Sequence, residues 1–472
     1  MGVRRRRAWR VAGGRLAVAA GALAGAAGRR GRHHGAAQGQ RAARAARVPG
    51  VDGERRRHAR RPVPAAAGRP HAARSGGRRM LIHGAADNDL HPPRFGGTQR
   101  TFGLYRGLAR RHDVRVLCMV ENRSRAPREE RVAGVALSRR AAWYTAAAWR
   151  LERARAAPLW LAALGHRVAA GRLAAALPGE PDVRSVDFNL AGLLARPGRA
   201  LRVYLSQNVE YDFFLASAPR LAARGFWAER VRAFEADAVA RADLVVAVSD
   251  EDAARFRALY GAREEALAVV PNGWDETAVR PATPAARAAA RAALGLARDD
   301  YVLLFVGSDF AHNREALRWT VDVLMPAVGP SVRLVVAGAV TRALGGRREP
   351  WLVAVGPVDD LAPLLAAADA GLNPVESGGG SNVKLPTYLG AGLAALTTPF
   401  GLRGYAPLAP HAVVAERAAF ADAVRARPRG WAAAGDSAPP PAVAAFAWGA
   451  LGERLGACFE ARLAARRAGG AP

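Results

Sequence analysis

Lysine is almost absent from this chain: of 70 basic side chains in 472 residues, 69 are arginine and one is Lys384. Cysteine is nearly as scarce. Cys118 and Cys458 each lie in an apolar stretch, which excludes a disulfide framework and fits a reducing compartment. No uninterrupted apolar run reaches the ~20 residues that span a bilayer. His83, His91 and His312 do not stand at metal-ligand spacing, and no metal is expected.

What is abundant is Ala, Gly, Arg and Pro, the amino acids of G+C-rich codons, and that bias explains arginine wherever only positive charge is needed. A surviving lysine then points to a place that wants a compact ammonium, chance being the alternative. Of the formal +30, residues 1–79 carry +19, from 21 arginines against one Asp and one Glu. That segment lacks sustained apolar periodicity and reads as a disordered basic tail, or as sequence ahead of a true start at Met80. Its basic run before Leu16–Gly28 also mimics a secretion signal. A nucleic-acid role finds no interleaved aromatics to support it, and no nucleic-acid partner is expected.

From Met80 onward short apolar runs alternate with helical patterns, as a parallel sheet flanked by helices requires. The first series is 80–82, 114–120, 201–205, 243–249 and 267–271. After a Pro/Ala-rich stretch, a second series follows at 301–307, 331–339, 351–356, 370–375, 393–398 and 412–416. The organisation is therefore α/β throughout: an N-terminal domain over 80–280, a connector over 281–300, a C-terminal domain over 301–440 and a final helical segment over 441–472. Residues 141–178 read as two core-packing helices with arginine on the wet face; an amphipathic surface touching an anionic membrane is the other reading.

The stretch ESGGGSNVKLPTYLGAG (376–392) follows an apolar strand and enters a helix. Glycine-rich loops at helix N-termini present unpaired N–H groups that suit a phosphate or diphosphate. Gly378, Gly379 and Gly380 let backbone approach closely, and Ser381 and Asn382 are natural N-cap residues. Lys384 in the first turn opposes the helix dipole, and an anion there would account for it.

Together with LFVGSDFAHNREALRW (304–319), VVAGA (335–339) and VVPNGWD (269–275), this stretch resembles a family 4 glycosyltransferase of the GT-B fold, a resemblance that covers residues 80 to about 460. It implies two Rossmann-like domains facing across a cleft. A UDP- or GDP-type nucleotide sugar would be held mainly by the C-terminal domain and an acceptor by the N-terminal one. Transfer would retain anomeric configuration without a metal or a permanently bound cofactor, the nucleotide sugar being a co-substrate. The acceptor would be a glycan, a lipid-linked glycan or a small molecule, in cell-surface glycan or glycoconjugate synthesis. The location expected is cytoplasmic, or peripheral at the inner membrane face.

The resemblance also assigns residues. Lys384, Arg314 and Gly97 are the candidate catalytic set, positive or N–H donors toward the diphosphate. Ser308, Gly378, Gly379, Gly380, Ser381, Asn382 and Thr387 are the donor-binding set. Gly96, Asn208 and Glu210 are acceptor-side, with Gly96 and Gly97 expected just before a helix whose N-cap is Thr98. Two departures matter: Thr387 stands where relatives usually have a ribose-binding glutamate, and Gln207 where they often have histidine. The missing carboxylate leaves open a non-catalytic scaffold of the same fold, or a sugar-nucleotide epimerase. Glu376 reads as a solvated carboxylate, Pro271-Asn272-Gly273 as a turn, and Asp87-Asn88-Asp89 as a loop rather than a metal motif. Glu210, Glu235 and Asp237 are acceptor-side groups or ordinary helix charges.

Overall fold

A computed structural model describes residues 11–12, 15–16, 78–120, 128–154, 156–158, 161–223, 225–379 and 381–468. The readings of residues 1–79 as a tail, a signal or sequence ahead of the start fall almost wholly outside the described residues, as does Gly380.

The first domain is built on eight strands: β1 (Leu81–Ala86), β2 (Asp113–Val120), β3 (Glu129–Val132), β4 (Val135–Ala141), β5 (Val183–Val186), β6 (Leu201–Leu205), β7 (Leu244–Ala247) and β8 (Leu267–Val269). Their order is β8-β7-β6-β5-β1-β2-β4-β3. All neighbours are parallel except β3 and β4, a hairpin closed through Ala133 and Gly134, both at positive φ as a tight two-residue turn demands. The second domain carries β9 (Tyr301–Val306), β10 (Val332–Ala337), β11 (Leu352–Gly356), β12 (Ala370–Asn373), β13 (Ala394–Thr397) and β14 (Val413–Val414), ordered β11-β10-β9-β12-β13-β14 and parallel throughout.

Each sheet is covered on both faces, so its strands need apolar residues at every position rather than at alternate ones. Along β2, Val114, Val116 and Cys118 enter one core while Leu117 and Met119 enter the other. Along β9, Val302 and Leu304 divide in the same way from Leu303 and Phe305.

The helices used below are α1 (Gly96–Leu108), α2 (Trp143–Arg153), α3 (Leu161–Ala174), α4 (Glu210–Ser217), α5 (Phe226–Arg241), α6 (Asp250–Tyr260), α7 (Ala311–Trp319), α8 (Lys384–Gly390) and α9 (Trp448–Ala468). None of the described helices is long and apolar enough to cross a membrane. Both thiols are unbridged, Cys118 buried and Cys458 half-buried.

The chain crosses between the domains twice, side by side. Trp274 and Ala447 form a parallel bridge, with Trp274 N–H donating to Phe446 O at 3.0 Å and Trp448 N–H to Trp274 O at 3.0 Å. After the second crossing α9 packs on α1, with the Trp448 indole over Gly103 and the backbones of Gly107 and Gly452 in contact. A Cβ built on Gly452 would lie 2.4 Å from the Gly107 Cα, so glycine at this crossing is a steric requirement.

Candidate active site

The loops at the carboxyl ends of β9 and β12 meet at Lys384. Helix α8 is fixed beneath them by Leu385, Tyr388 and Leu389, buried at i, i+3 and i+4 spacing. The Tyr388 ring lies on Gly371, and its hydroxyl accepts the Val306 N–H at 3.1 Å, which ties α8 to both strands. The Lys384 ammonium donates to Asn313 Oδ1 at 2.8 Å and lies 5.1 Å from the Phe305 ring centre. Burial pulls its pKa down to about 7 from 10.5, because no carboxylate compensates the lost hydration.

Asn313 organises this corner. Its Nδ2 donates to Ser308 O at 3.2 Å and to Ser308 Oγ at 3.4 Å, while its Oδ1 receives the lysine. Ser308, Asn313 and Lys384 therefore form one chain across the site. Above them, Gly378 has a φ of +131°, a conformation open to glycine, and a Cβ there would stand 3.2 Å from the His312 ring. His312 stacks on Phe310 at 6.0 Å, and its pKa is held down to about 4 by burial first, then by the cations of Lys384 and Arg314.

The first domain supplies the opposite wall. A Cβ on Gly96 would lie 3.4 Å from Val383, so the start of α1 abuts the start of α8. A Cβ on Gly97 would fall 2.0 Å from Gln207 Oε1, and Gln207 in turn donates to Thr101 at 3.1 Å. Gly379 faces Asn208 Oδ1 and Phe213, which a Cβ there would meet at 3.2 and 3.1 Å. Phe213 also packs edge to face on Phe310 at 6.0 Å. The structure thus brings together Gly96, Gly97, Asn208, Ser308, Gly378, Gly379 and Lys384.

Other expected positions differ. Helix α1 begins at Gly96 with Phe95 as its N-cap, so the two glycines form its first turn and Thr98 sits at the third position. There the Thr98 hydroxyl accepts from Arg94 N at 3.0 Å and Phe95 N at 3.2 Å and donates to Phe95 O at 2.9 Å. Neither Ser381 nor Asn382 caps α8: its N-cap is Val383, whose backbone is already helical, with no side-chain bond. Thr387 donates its hydroxyl to Val383 O at 2.9 Å, within its own helix. Arg314 is bound to Asp309, at 2.7 Å to the carbonyl and 2.9 Å to the carboxylate. Glu376 is exposed, as a solvated carboxylate is, and also pairs with Arg417 at 3.2 Å.

The three undecided acids separate clearly. Asp237 pairs on the surface with Arg241. Glu235 is fully buried and accepts four bonds, from Tyr204 OH (3.1 Å), Glu210 N (2.8 Å), Tyr211 N (3.0 Å) and Tyr260 OH (2.6 Å). It therefore caps α4 from α5. Glu210 accepts from Asn208 Nδ2 at 3.3 Å; burial, then the Glu235 charge, raise its pKa to about 8. Asp87 and Asp89 do not converge, the first binding Asn88 and Asn189 and the second pairing with Arg139. Among the described residues no His/Cys/Asp/Glu group could hold a metal ion.

Asn272 does more than turn the chain. Its Nδ2 donates to Ser381 O at 2.8 Å and its Oδ1 accepts from the buried Arg100 at 3.3 Å, which joins α1 to the glycine loop. Arg403 reaches across to Asp252 at 3.4 Å. The only sequence signal for these ties was the PNG turn.

The model described as Glycosyltransferase Family 4 matches residues 95–278, and that described as Glycosyl transferases group 1 matches 300–427. A D-inositol 3-phosphate glycosyltransferase from Thermobifida fusca is 38% identical over 149 residues, 30% of this chain and 31% of the relative. One from Nocardia farcinica is 35% identical over 123 residues, 26% of this chain and 23% of the relative. The chain thus spans under a third of the length of these curated relatives. Sucrose-phosphate synthase from Thermosynechococcus elongatus superposes with a TM-score of 0.61 at 16% identity, over 82% of this chain and 100% of that one. HepE from Anabaena, solved with UDP and glucose, gives 0.55 at 13% identity, over 81% and 100%. At such identities the likeness is one of fold.

Proposed function

The chain belongs to the family 4 glycosyltransferases and has their GT-B fold, and from that membership we propose that it transfers a sugar from a UDP- or GDP-type nucleotide sugar to an acceptor hydroxyl with retention. The carrying observation is the half-buried Lys384 ammonium, held by Asn313 beside the Gly378–Gly379 loop with no carboxylate bonded to it among the described residues. A diphosphate is the ligand that would satisfy it. The glycine N-terminus of α1 approaches from the other domain, so the diphosphate would lie between its first-turn N–H groups and the Gly378–Gly379 loop.

In this reading the protein holds charge and geometry while the departing phosphate oxygen takes the acceptor proton. Lys384 and the Gly97 backbone stabilise the leaving diphosphate. Arg314 joins them only by releasing Asp309. Glu210, mostly protonated near neutral pH, would donate a hydrogen bond to the acceptor. The acceptor is a polyol, glycan or lipid-linked glycan of the kind used in cell-surface synthesis. The UDP and glucose found with HepE, and the phosphorylated sugars and polyol in the relatives' names, bear on the choice of donor and acceptor.

One observation favours a non-catalytic scaffold: the Thr387 hydroxyl donates within its own helix, to Val383 O. Calorimetry with UDP-, GDP-, ADP- and dTDP-sugars separates the two. Binding of one nucleotide that Lys384→Ala weakens supports the transferase; no binding by a folded protein supports the scaffold.

A further inference from the structure

Helices α2 and α3 attach to the first domain mainly by small residues, joined by Leu173, and leave several of their large apolar ones outside. Ala148, Ala162, Ala163 and Ala170 are buried, and Tyr144 lies on Gly165 with its hydroxyl 3.0 Å from His166 Nδ1. In contrast Trp143 is 78% exposed, Val168 91%, Leu164 44% and Leu151 39%. This reverses the ordering expected of core-packing helices, in which the larger apolar side chains gain most from burial.

On each helix the exposed residues share a side. Leu164, Val168 and Arg172 follow at i, i+4 and i+8 along α3, and Trp143, Arg150 and Leu151 share a side of α2 at seven- and eight-residue spacing. The helices touch where Tyr144 lies on Gly165, and Trp143 and Leu164 are the residues that precede these two along the chain. In sequence the two helices are one-sided in charge, with four arginines, Arg150 and Arg172 among them, against one glutamate. Arg150 and Arg172 form no ion pair with the described residues, and Arg167 has only a 3.5 Å contact to Asp237.

We propose that this face of the α2–α3 hairpin docks on an anionic lipid bilayer, with Trp143, Leu151, Leu164 and Val168 entering the headgroup boundary and the arginines bound to lipid phosphates. An apolar stripe rimmed by unpaired arginine, with tryptophan at its edge, has the layout of an in-plane interfacial helix. A protein partner would instead have to bury those guanidinium groups against carboxylates of its own. The hairpin leaves the sheet at the carboxyl end of β4, so docking sets the cleft side of the domain near the membrane. Nothing in this docking depends on the donor chemistry.

The test is co-sedimentation of the full chain with vesicles of phosphatidylcholine, alone or with about 30% phosphatidylglycerol. Binding to the anionic vesicles is expected, with little to the neutral ones. Trp143→Ser with Val168→Ser should lower partitioning about tenfold, and Arg150→Gln with Arg172→Gln roughly twenty-five-fold, fivefold per charge. All four side chains are exposed, so circular dichroism and nucleotide-sugar binding of both variants should match the parent. Absence of binding overturns the proposal. So does binding that the Trp143/Val168 variant leaves unchanged, since the arginines of residues 1–77 would then be responsible. Concentration-dependent dimerisation abolished by the same variant, without vesicle binding, would assign the face to a second copy instead.

Discussion

Lys384 makes the donor proposal measurable as a proton count. Its pKa near 7 means that about half the ligand-free molecules carry the charge at pH 7, and about a tenth at pH 8. A diphosphate at hydrogen-bond distance favours the charged form and holds the lysine protonated across this range. Binding at pH 8 should therefore take up close to one proton, about 0.9 per complex. A nucleotide sugar, as a diphosphate diester, does not itself titrate there. The apparent affinity should fall about a hundredfold between pH 6 and pH 9, steepening above pH 7.

Calorimetry in two buffers of different ionisation enthalpy reads the uptake directly. Lys384→Ala should abolish the uptake, flatten the pH profile and weaken binding by about ten- to a hundredfold at pH 6, the worth of a charge-assisted bond. The ligand-free protein should respond with the opposite sign. Because folding lowers this pKa, the unfolded chain binds the extra proton between pH 7 and 10.5, and stability rises with pH through that window. Lys384→Met should consequently stabilise the ligand-free protein most below pH 7, with the gain vanishing above 10.5. Donor binding with no proton uptake, and unaltered by Lys384→Ala, would refute a diphosphate at this lysine.

Glu235→Gln replaces an acceptor of four hydrogen bonds with an amide that turns an NH2 toward donors; it should cost about 3–5 kcal/mol by denaturant titration, and a loss under 1 kcal/mol would mean that the α4 cap is dispensable. Gly452→Ala sets a Cβ against the Gly107 backbone, which cannot move aside, and should lower Tm by about 2–10 °C through a strain of about 1–3 kcal/mol; an unchanged Tm would contradict the close α1–α9 crossing. Glu210→Gln imitates the protonated acid, so its transfer rate at pH 7 should stay within about threefold of the parent. Above pH 8 the parent carboxyl ionises, and the ratio of variant to parent should rise; a ratio independent of pH would remove Glu210 from acceptor binding.

How much of this was legible follows from how each element is buried. Every strand of the second sheet stands in the sequence as an apolar run, because helices cover both faces and YVLLFV leaves no room for a polar side chain. The first sheet hid three strands. The edge hairpin, EERV and VALSRRA, mixes charge into both strands, with Arg139 buried and paired with Asp89 and Glu130, so neither stands out as an apolar run. VRSV has only four residues, and its Arg184 survives burial by donating to Arg196 O at 3.2 Å, a bond no local pattern announces. The site divides along the same line. A glycine loop entering a helix is a local signal, whereas the Asn313 that receives Lys384 lies 71 residues away. Asn272 and Ser381 are 109 residues apart. The α2–α3 hairpin shows why even a correct helix leaves its environment open. Alanine counts as apolar in any periodicity, so a helix that buries alanine and exposes Trp143 and Val168 gives the same sequence signal as one that does the reverse. Only the three-dimensional packing, with Ala163 at 0% exposure and Val168 at 91%, reveals which face is wet. From that inversion follows the expectation that the large apolar residues serve a surface outside the protein.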